Sequence, residues 1–357
     1  MIKDKNGLDK ICRDFLDNAM EFYDVPGLAI GLSIGDEYVF TGACGCKNYI
    51  TKEPLDDRNI FHCASVSKLF TSMGIMKLVE EGKLNLDDKL VEILPELSIA
   101  DKRCEDIRLY QMLTHTSGLG DVEDYHWEDA AVNDEALWDY AKSDEVRETP
   151  MLWEAGKGGF RYSNMAYELL GLIISETSGM PYEEYMAENL LKPAGMDSST
   201  FLTFERTGGT LELDAINETN MAMPHTKAED RSIILEQHYP YNRQHAPSST
   251  LTSDVHDLLK WARANMRMDI LSPETYSMIW KEYAVVPNNG ERMGLGWFMR
   301  NQKGCDFVGH EGTDDGFRAS FWMCRELETA IVVLSNITGA PVKKLNKKLF
   351  DEISHLL

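Results

Sequence analysis

The sequence predicts an α/β chain of the α+β type, in which an antiparallel sheet is flanked by N- and C-terminal helices and joined by a mainly helical lobe. Strand patterns stand at both ends of the chain, and helical patterns fill the middle. The chain has 357 residues, which is too long for one simple core. We therefore expect a discontinuous sheet lobe from residues 1–64 and 269–357 and a helical lobe from residues 65–268. A ligand would lie in the crevice between them.

The first part of the chain predicts a helix, a hairpin and a second helix. Residues 8–24 carry apolar side chains at helical spacing. The short apolar runs 28–35 and 37–44 meet at a Gly-Asp pair, which indicates a β-hairpin. A helix is then expected from Ser65 to Gly82. Apolar residues surround most of it, so it should be buried.

The middle of the chain predicts further helices, and strand patterns return near the end. Residues 121–148 hold eleven acidic and two basic side chains, which indicates a solvated insertion or a lid. The last helix is expected over residues 341–357. The late strands are predicted at residues 294–300, 305–310, 316–324 and 329–336.

Composition and charge exclude several classes of partner. A net charge of −23 should repel nucleic acid and anionic lipid. No stretch reaches the roughly 20 apolar residues of a membrane span, and the N-terminus lacks the pattern of a signal peptide. The odd number of cysteines, seven, without framework spacing, indicates reduced thiols and a cytoplasmic protein. The histidines show no metal-ligand spacing, so we expect no metal and no organic cofactor.

The most informative local pattern is Ser65-Val66-Ser67-Lys68, which places a serine and a lysine three residues apart. A serine hydroxyl is a weak nucleophile until a base removes its proton, and a buried lysine with a lowered pKa can be that base. Residues i and i+3 of a helix share a face, about 5–6 Å apart at Cβ. S-x-x-K alone is common by chance, and two ordinary polar residues on a helix are the alternative.

Two further motifs give this pair a context. Tyr162-Ser163-Asn164 precedes a predicted helix, and His310-Glu311-Gly312 follows a predicted strand. In this order, the three motifs resemble those of the serine β-lactamase and penicillin-binding-protein superfamily, namely S-x-x-K, Y-x-N and a K-T-G or H-x-G strand. The resemblance spans roughly residues 20–340. It is strongest to the class C β-lactamase-like branch, with its esterases and D-amino-acid peptidases, through stretches at residues 113–121, 190–201, 247–262 and 294–297.

The resemblance implies a β-lactamase/transpeptidase-like fold and a role for each motif residue. Ser65 would be the nucleophile, and Lys68 and Tyr162 would share proton transfer. Asn164 would hold Lys68 or the substrate amide. The backbone N–H groups of Ser65 and Thr313 would form the oxyanion hole beside Gly312. His310 would replace the usual lysine and either relay a proton or hydrogen-bond Tyr162.

Simpler interpretations exist for single residues. Tyr162 alone could be a core tyrosine, His310 a strand-end histidine, and His115 a loop histidine bonded to backbone. Gly31-Leu32-Ser33-Ile34-Gly35 fits the G-x-S-x-G nucleophile elbow, which requires a strand, a sharp turn and a helix. Ser33 instead lies within the first predicted strand, and a second strand follows, so the sequence rejects the elbow.

The sequence therefore predicts a serine hydrolase that acts through an acyl-enzyme on a small ester or amide, as an esterase or a D-amino-acid peptidase or amidase would. A β-lactamase or D,D-carboxypeptidase is one alternative. A family member that binds a ligand without turnover is another. The expected partner is a small molecule or a short peptide, and the sequence leaves the oligomeric state open.

Charges near the third motif add an expectation about the substrate. Glu311 should point away from the cleft because side chains alternate along a strand. Asp314 and Asp315 are expected in the following turn, where they could face the crevice, repel an anionic substrate and pair with an ammonium. The alternative is that both aspartates simply make the turn.

Overall fold

Strands from both ends of the chain join in one nine-stranded antiparallel sheet in the computed structural model, which describes residues 2, 4–287 and 289–357. The strands are, in chain order, β1 (Gly27–Ile34), β2 (Tyr38–Asn48), β3 (Glu53–Pro54), β4 (Phe61–His62), β5 (His225–Lys227), β6 (Ile233–Leu235), β7 (Thr252–Ser253), β8 (Ala284–Val285), β9 (Arg292–Met293), β10 (Phe298–Gln302), β11 (Cys305–Asp314), β12 (Phe317–Cys324) and β13 (Thr329–Ser335). Across the sheet their order is β3-β2-β1-β13-β12-β11-β10-β9-β8. The first hairpin thus lies beside the last strand, as the sequence predicts.

Helices account for most of the chain between the two groups of strands. In chain order they are α1 (Lys5–Tyr23), α2 (Ser67–Glu80), α3 (Leu90–Ile93), α4 (Leu109–Leu113), α5 (Ala136–Ala141), α6 (Asp144–Arg147), α7 (Asn164–Ser178), α8 (Tyr182–Met186), α9 (Thr203–Arg206), α10 (Leu213–Asn217), α11 (Ala246–Ser249), α12 (Val255–Arg267), α13 (Pro273–Ile279) and α14 (Val342–Ile353). The mixed α/β architecture with terminal helices against the sheet is confirmed. Within the described part of the chain, no helix is both long and apolar enough to cross a bilayer.

The sheet is buried on both faces, because alternate side chains of its central strands enter two different cores. Leu28, Ile30 and Leu32 of β1 pack with α1 and α14 on one face. Ala29 belongs to the core on the other face. There, a Cβ added to Gly31 would lie 3.1 Å from the Leu259 side chain of α12, so the missing side chain lets that helix lie close to the sheet.

The second core is shared between the sheet and the helices of residues 65–268. It includes Phe70 of α2, Leu170 of α7 and Phe321 of β12. The division of the chain into two lobes therefore stays a prediction. Close approach also fixes α11 against α7, since a Cβ on Gly171 would lie 2.0 Å from Pro247. This contact places the carbonyl groups of α11 beside the first turn of α2.

Two late elements differ from their predicted bounds. The segment 294–300 becomes a strand only from Phe298, because Gly296 has a φ of +79° and turns the chain. A Cβ on Gly296 would lie 2.3 Å from Ser72, so this turn packs directly on α2. β11 is longer than predicted, because its pairing with β12 continues to Asp314 opposite Phe317.

Candidate active site

Ser65 lies in a tight turn that precedes α2. The sequence predicts that the helix begins at Ser65, but Ala64–Val66 form a 3₁₀ turn and the α-helix begins at Ser67. Ala64 has a φ of +47°, an uncommon conformation for a residue with a side chain. Ser67 stabilises the turn, since its hydroxyl donates to the Ala64 carbonyl (2.7 Å) and accepts from Leu251 N–H (2.9 Å). The turn leaves Ser65 partly exposed at a cleft.

Lys68 is fully buried and lies against the Ser65 hydroxyl. Its Nζ is 3.0 Å from Ser65 Oγ and donates to the carbonyl of Ser248 in α11 at 2.9 Å. Burial lowers the pKa of Lys68 to about 8, although the negative charges of Glu168, Asp314 and Asp121 oppose the shift. About a tenth of Lys68 is therefore a neutral amine at neutral pH, far more than for an exposed lysine, and its lone pair can accept the serine proton.

Tyr162 is the third member of the cluster. Its ring lies 5.0 Å from Lys68 Nζ, and its buried hydroxyl has no hydrogen-bond partner of regular geometry among the described residues. Burial raises the pKa of Tyr162 well above its usual value, while the approach of the Ser65 hydroxyl lowers it. The phenol is therefore protonated at physiological pH and can donate a proton to an oxygen or nitrogen that enters the cleft.

His115 holds the loop that carries Tyr162. Its carbonyl accepts the N–H of Arg161 (2.8 Å), and its Nδ1 accepts the N–H of Ser163 (3.2 Å). The His115 and Tyr162 rings are 4.3 Å apart between centroids. Because Nδ1 is the acceptor, the proton of the neutral ring is on Nε2. The prediction of a loop histidine bonded to backbone is confirmed.

Asn164 is held by a carboxylate that sequence reasoning missed. Asp121 Oδ1 accepts both the backbone N–H of Asn164 (2.7 Å) and its side-chain Nδ2 (2.9 Å). Asn164 Oδ1 is buried and has no hydrogen-bond partner among the described residues, so it does not hold Lys68, one of its two possible roles. Asp121 turns this oxygen into a free acceptor, and the alternative role, binding a substrate amide, stays a prediction. The signal was available, since Asp121 ends the stretch 113–121 that resembles the family.

His310 faces Tyr162 from β11. The two ring centroids are 6.1 Å apart, but the expected hydrogen bond between them is absent. His310 Nδ1 lies 2.6 Å from the Glu311 carbonyl, which can only accept, so Nδ1 carries the proton. Burial lowers the pKa of His310 to about 3, so the ring is neutral, and its Nε2 is an acceptor with no partner among the described residues. A neutral imidazole cannot supply the positive charge that a lysine would bring to this position.

Gly312 and Thr313 form the part of β11 that lies against the nucleophile turn. A Cβ on Gly312 would be 2.2 Å from the Cys63 carbonyl, so only glycine allows this approach. β10 pairs with β11 only as far as Gly309, and Thr313 lines the cleft beyond that point. The free edge beside Thr313 is therefore open to an extended ligand backbone.

Of the two aspartates after this motif, Asp315 lies in the expected turn and Asp314 does not. Asp314 is the last residue of β11 and is absent from the turn, because the ladder with β12 continues to it. Its carboxylate is bonded to the buried His62 at 2.7 Å. Asp315 is exposed, and among the described residues that line the cleft neither aspartate is present.

The cleft itself has a volume of about 340 Å³ and brings together five of the predicted site residues, namely Ser65, Tyr162, Asn164, His310 and Thr313. Aromatic rings form much of its wall, and Glu311, Glu291 and Lys343 supply its charged groups. The lining residues are Ser65, Tyr125, Phe160, Tyr162, Asn164, Val286, Asn289, Glu291, Phe298, His310, Glu311, Thr313, Trp322 and Lys343. Glu311 lies at this cleft, contrary to expectation, and accepts a hydrogen bond from Trp322 Nε1 (2.6 Å). Tyr125 belongs to the acidic stretch 121–148, so the first residues of that stretch form part of the cleft wall.

A second layer of polar groups lies behind Lys68. Glu168 of α7 is buried beside His245 and Ser248. A lone carboxylate inside the apolar run of α7 was visible in the sequence and was not recognised as a signal. Away from the cleft, Asp124, His126 and Glu128 form an exposed group with the spacing of metal ligands, the one such group among the described residues. None of these three side chains lines the cleft.

Comparison with known proteins extends the resemblance over nearly the whole chain. The profile of the beta-lactamase family matches residues 12–352. The chain is 27% identical over 358 residues to "Protein flp" of Staphylococcus aureus (strain N315), covering 97% of this chain and 66% of that protein. It is 26% identical over 323 residues to "Penicillin-binding protein 4*" of Bacillus subtilis (strain 168), covering 85% of this chain and 66% of that protein. The chain thus spans about two thirds of the length of these relatives.

Solved structures share the fold. A penicillin-binding protein homologue from Pyrococcus abyssi, described as octameric, superposes with a TM-score of 0.81 at 25% identity, over 97% of this chain and 77% of that chain. A D-amino acid amidase from Ochrobactrum anthropi SV3, complexed with L-phenylalanine, gives a TM-score of 0.80 at 19% identity, over 99% of both chains. The second likeness concerns the fold alone. With its three motifs gathered around one cleft and the family profile covering residues 12–352, this chain belongs to the beta-lactamase family.

Proposed function

We propose that the protein is a serine hydrolase that forms an acyl-enzyme on Ser65 from a small ester or amide. One observation carries the proposal, namely the 3.0 Å contact between Ser65 Oγ and the Nζ of a completely buried Lys68. A lysine whose pKa is lowered to about 8 by burial is a competent general base near neutral pH. Ser65 is also partly exposed at the cleft, so a substrate carbonyl can reach it.

In the acylation step, Ser65 Oγ attacks the substrate carbonyl while its proton passes to the neutral amine of Lys68. The tetrahedral intermediate then collapses, the bond to the alcohol or amine breaks, and the leaving group takes a proton from Tyr162 or from Lys68. Tyr162 suits this donor role because its phenol is buried, protonated and, among the described residues, without a hydrogen-bond partner of regular geometry. The phenolate then regains a proton from the protonated Lys68, which restores the base.

The oxyanion of the intermediate would be bound by the backbone N–H groups of Ser65 and Thr313. The close approach of Gly312 to the Cys63 carbonyl supports this arrangement, since it brings β11 against the nucleophile turn. In the second half of the reaction, water attacks the acyl carbonyl and gives its proton to the neutral amine of Lys68. The bond between Ser65 Oγ and the acyl carbon breaks, and Ser65 recovers its proton.

The walls of the cleft favour a neutral or amine-bearing substrate with an apolar acyl group. Rings of Tyr125, Phe160 and Phe298 offer apolar surface. Lys343 is the cation among the described lining residues, and it is paired with Glu291 at 2.7 Å. Short esters and N-terminal D-amino-acid amides fit these requirements. Solved structures that are described as D-amino acid amidases have the same fold as this chain.

A fluorophosphonate probe tests the proposal, because it reacts only with an activated serine. We expect one equivalent of label on Ser65, located by peptide mass spectrometry. Hydrolysis of a panel of p-nitrophenyl esters, D- and L-amino-acid anilides and nitrocefin would then rank the substrates. The absence of label on Ser65, with the protein folded, would contradict the proposal and favour a family member that binds its ligand without turnover.

The alternatives within the family are a β-lactamase and a D,D-carboxypeptidase. Both act on substrates with a free carboxylate, which calls for an available cation beside the third motif. His310 is neutral there, and the ion pair with Glu291 occupies Lys343. We therefore expect weak turnover of nitrocefin. An efficiency near about 10⁷ M⁻¹s⁻¹ would make β-lactam hydrolysis the better description.

A further inference from the structure

Behind Lys68 lies a buried polar cluster that the proposed reaction does not use. Glu168 extends from α7, one turn after Asn164, and its side chain is completely inaccessible to solvent. Its Oε1 accepts a hydrogen bond from Ser248 Oγ at 2.6 Å and lies 3.1 Å from His245 Nδ1. Burying a carboxylate costs free energy unless neighbouring groups donate hydrogen bonds to it.

Ser248 connects this carboxylate directly to the base. Its carbonyl accepts the hydrogen bond of Lys68 Nζ at 2.9 Å, while its hydroxyl donates to Glu168. The same residue therefore orients the amine of Lys68 and anchors the carboxylate. Tyr125 and Tyr140 pack against the His245 ring at centroid distances of 4.8 and 5.1 Å and help to keep the cluster closed.

The cluster is incompletely satisfied. Glu168 Oε2 and His245 Nε2 are both buried without a hydrogen-bond partner among the described residues. Burial raises the pKa of Glu168 above its usual value, although the hydrogen bond and charge of His245, the hydroxyl of Ser248 and the charge of Lys68 oppose the shift and favour the carboxylate. The charge of the carboxylate thus depends on Ser248, which also binds Lys68, and on Lys68 itself, so the two groups are coupled.

Other charged and titratable groups also face Lys68. Asp314 and Asp121 favour its protonated form, but the first is bonded to His62 and the second to the Asn164 amide. Burial lowers the pKa of His115 and of His310, which therefore stay neutral, and the rings of Tyr162 and Tyr167 lie 5.0 and 5.5 Å from Nζ. Of the carboxylates, Glu168 opposes the effect of burial on Lys68 most strongly.

We propose that Glu168, tethered by Ser248 and His245, is a positioning residue that sets the charge of Lys68 and with it the pH at which Ser65 becomes reactive. This inference rests on the proposed function, because it assumes that Lys68 is the base. An ionised Glu168 favours the ammonium form of Lys68. Neutralising Glu168 should therefore release the proton of Lys68 at lower pH.

The test is Glu168→Gln, which keeps the shape of the side chain and removes its charge. We expect the pKa of Lys68, followed directly by NMR of protein containing ¹³Cε-lysine, to fall by about one unit. The acidic limb of the rate of fluorophosphonate labelling against pH should move by the same amount. Ser248→Ala keeps the carbonyl that binds Lys68 but removes the donor to Glu168, and it should give a smaller shift in the same direction.

Glu176→Gln is the matched control, since it is the same change on the same helix at an exposed position. It should leave the pKa of Lys68 and the labelling profile at their wild-type values. An unchanged pKa of Lys68 in a folded Glu168→Gln protein would overturn the inference, even if Ser65 is labelled normally. The proposed function fails separately, if wild-type Ser65 is not labelled at any pH. A purely structural role would lower the melting temperature of Glu168→Gln without moving the pKa.

Discussion

Two lysines of the described chain are buried, Lys47 in β2 and Lys68 in α2, and their surroundings differ in one respect. Lys47 Nζ donates to the carbonyls of Asn217 (2.9 Å) and Thr219 (2.7 Å) and forms an ion pair with Glu53 (2.8 Å). Lys68 Nζ contacts the Ser65 hydroxyl and one carbonyl, and within the described residues it has no ion pair. One buried lysine therefore has an acceptor for each N–H, and the other does not.

The difference shows how the same residue type becomes a structural tie or a base. Three acceptors, one of them a carboxylate, hold Lys47 as a link between β2 and the segment after α10. Lys68 lacks a direct counter-ion, so burial lowers its pKa to about 8. Its remaining contact is the hydroxyl that it would deprotonate. Burial together with incomplete satisfaction, rather than burial alone, marks the functional lysine.

The largest effect is expected from removing the nucleophile next to Lys68. Ser65→Ala should abolish labelling and lower turnover by roughly 10⁴-fold or more, since nucleophile and base act as one unit. The measurement is the steady-state rate on the best ester of the panel. Ser33→Ala is the matched control, because Ser33 Oγ is buried in β1 and no described residue hydrogen-bonds to it. Full activity in Ser65→Ala with loss in Ser33→Ala would assign the chemistry to the G-x-S-x-G segment.

Exchanging each buried lysine for methionine tests the comparison itself. Lys68→Met should lower turnover by about 10²- to 10⁴-fold, as loss of a general base does, with little loss of stability. Lys47→Met should leave turnover near the wild-type value but lower the free energy of unfolding by about 1–3 kcal/mol, because two carbonyls and Glu53 lose their donor. Urea unfolding and ester hydrolysis measure the two effects on the same preparations.

Either of two results would contradict the assignment of Lys68 as the base and Lys47 as a structural residue. Turnover in Lys68→Met within a factor of about three of wild type would remove Lys68 from the chemistry. A large loss of turnover in Lys47→Met, with its stability unchanged, would mean that the fully paired lysine also takes part in the reaction.

The sequence predicted the parts of the site that depend on neighbours along the chain. Ser65 and Lys68 are three residues apart, so helical spacing alone places them together. The hairpin, the late strands and the terminal helices likewise follow from local apolar periodicity. The sheet could be predicted from these elements, because strands at the two ends of the chain have few other strands to pair with.

Contacts between distant parts of the chain were not predictable in this way. The carbonyl that binds Lys68 belongs to Ser248, 180 residues away, and the histidine that engages Asp314 is 252 residues away. Contacts between residues so far apart produce no periodic pattern in a single sequence, so the sequence does not predict them. The placement of Asp314 failed for this reason, since turn propensity was considered and a buried partner was not. Asn164 and His310 each had two possible roles, and their bonds to Asp121 and to the Glu311 carbonyl could not be read from the sequence either.

The pH dependence sharpens the contrast between the two lysines. Lys68 is a base only when deprotonated, so turnover should rise with pH and level off above the pKa of about 8. Below that value the rate should fall about tenfold per pH unit, as for a single essential base. His310, with its pKa lowered to about 3, cannot produce this limb. The profile of kcat/KM for an uncharged ester measures it, and a limb near pH 6.5 instead would indicate a histidine as the base.

The smallest effect is expected from a third lysine, at the mouth of the cleft. Lys343 is 40% exposed, far more than the other two lysines, and its single ion pair with Glu291 places it between them in pairing. A partly exposed pair contributes little, and Lys343→Gln should change the efficiency for a neutral ester by less than about twofold. The variant leaves Glu291 without its cation and makes the cleft more negative. An acyl substrate with a free amine should therefore gain about two- to fivefold over its carboxylate analogue relative to wild type. Matched substrates with an amine, no charge or a carboxylate provide the measurement, and Lys344→Gln is the control on the next residue of α14. A greater preference for the carboxylate in Lys343→Gln would show that the charge of this lysine does not act on the bound substrate, and the argument for a neutral or amine-bearing substrate would lose its electrostatic basis.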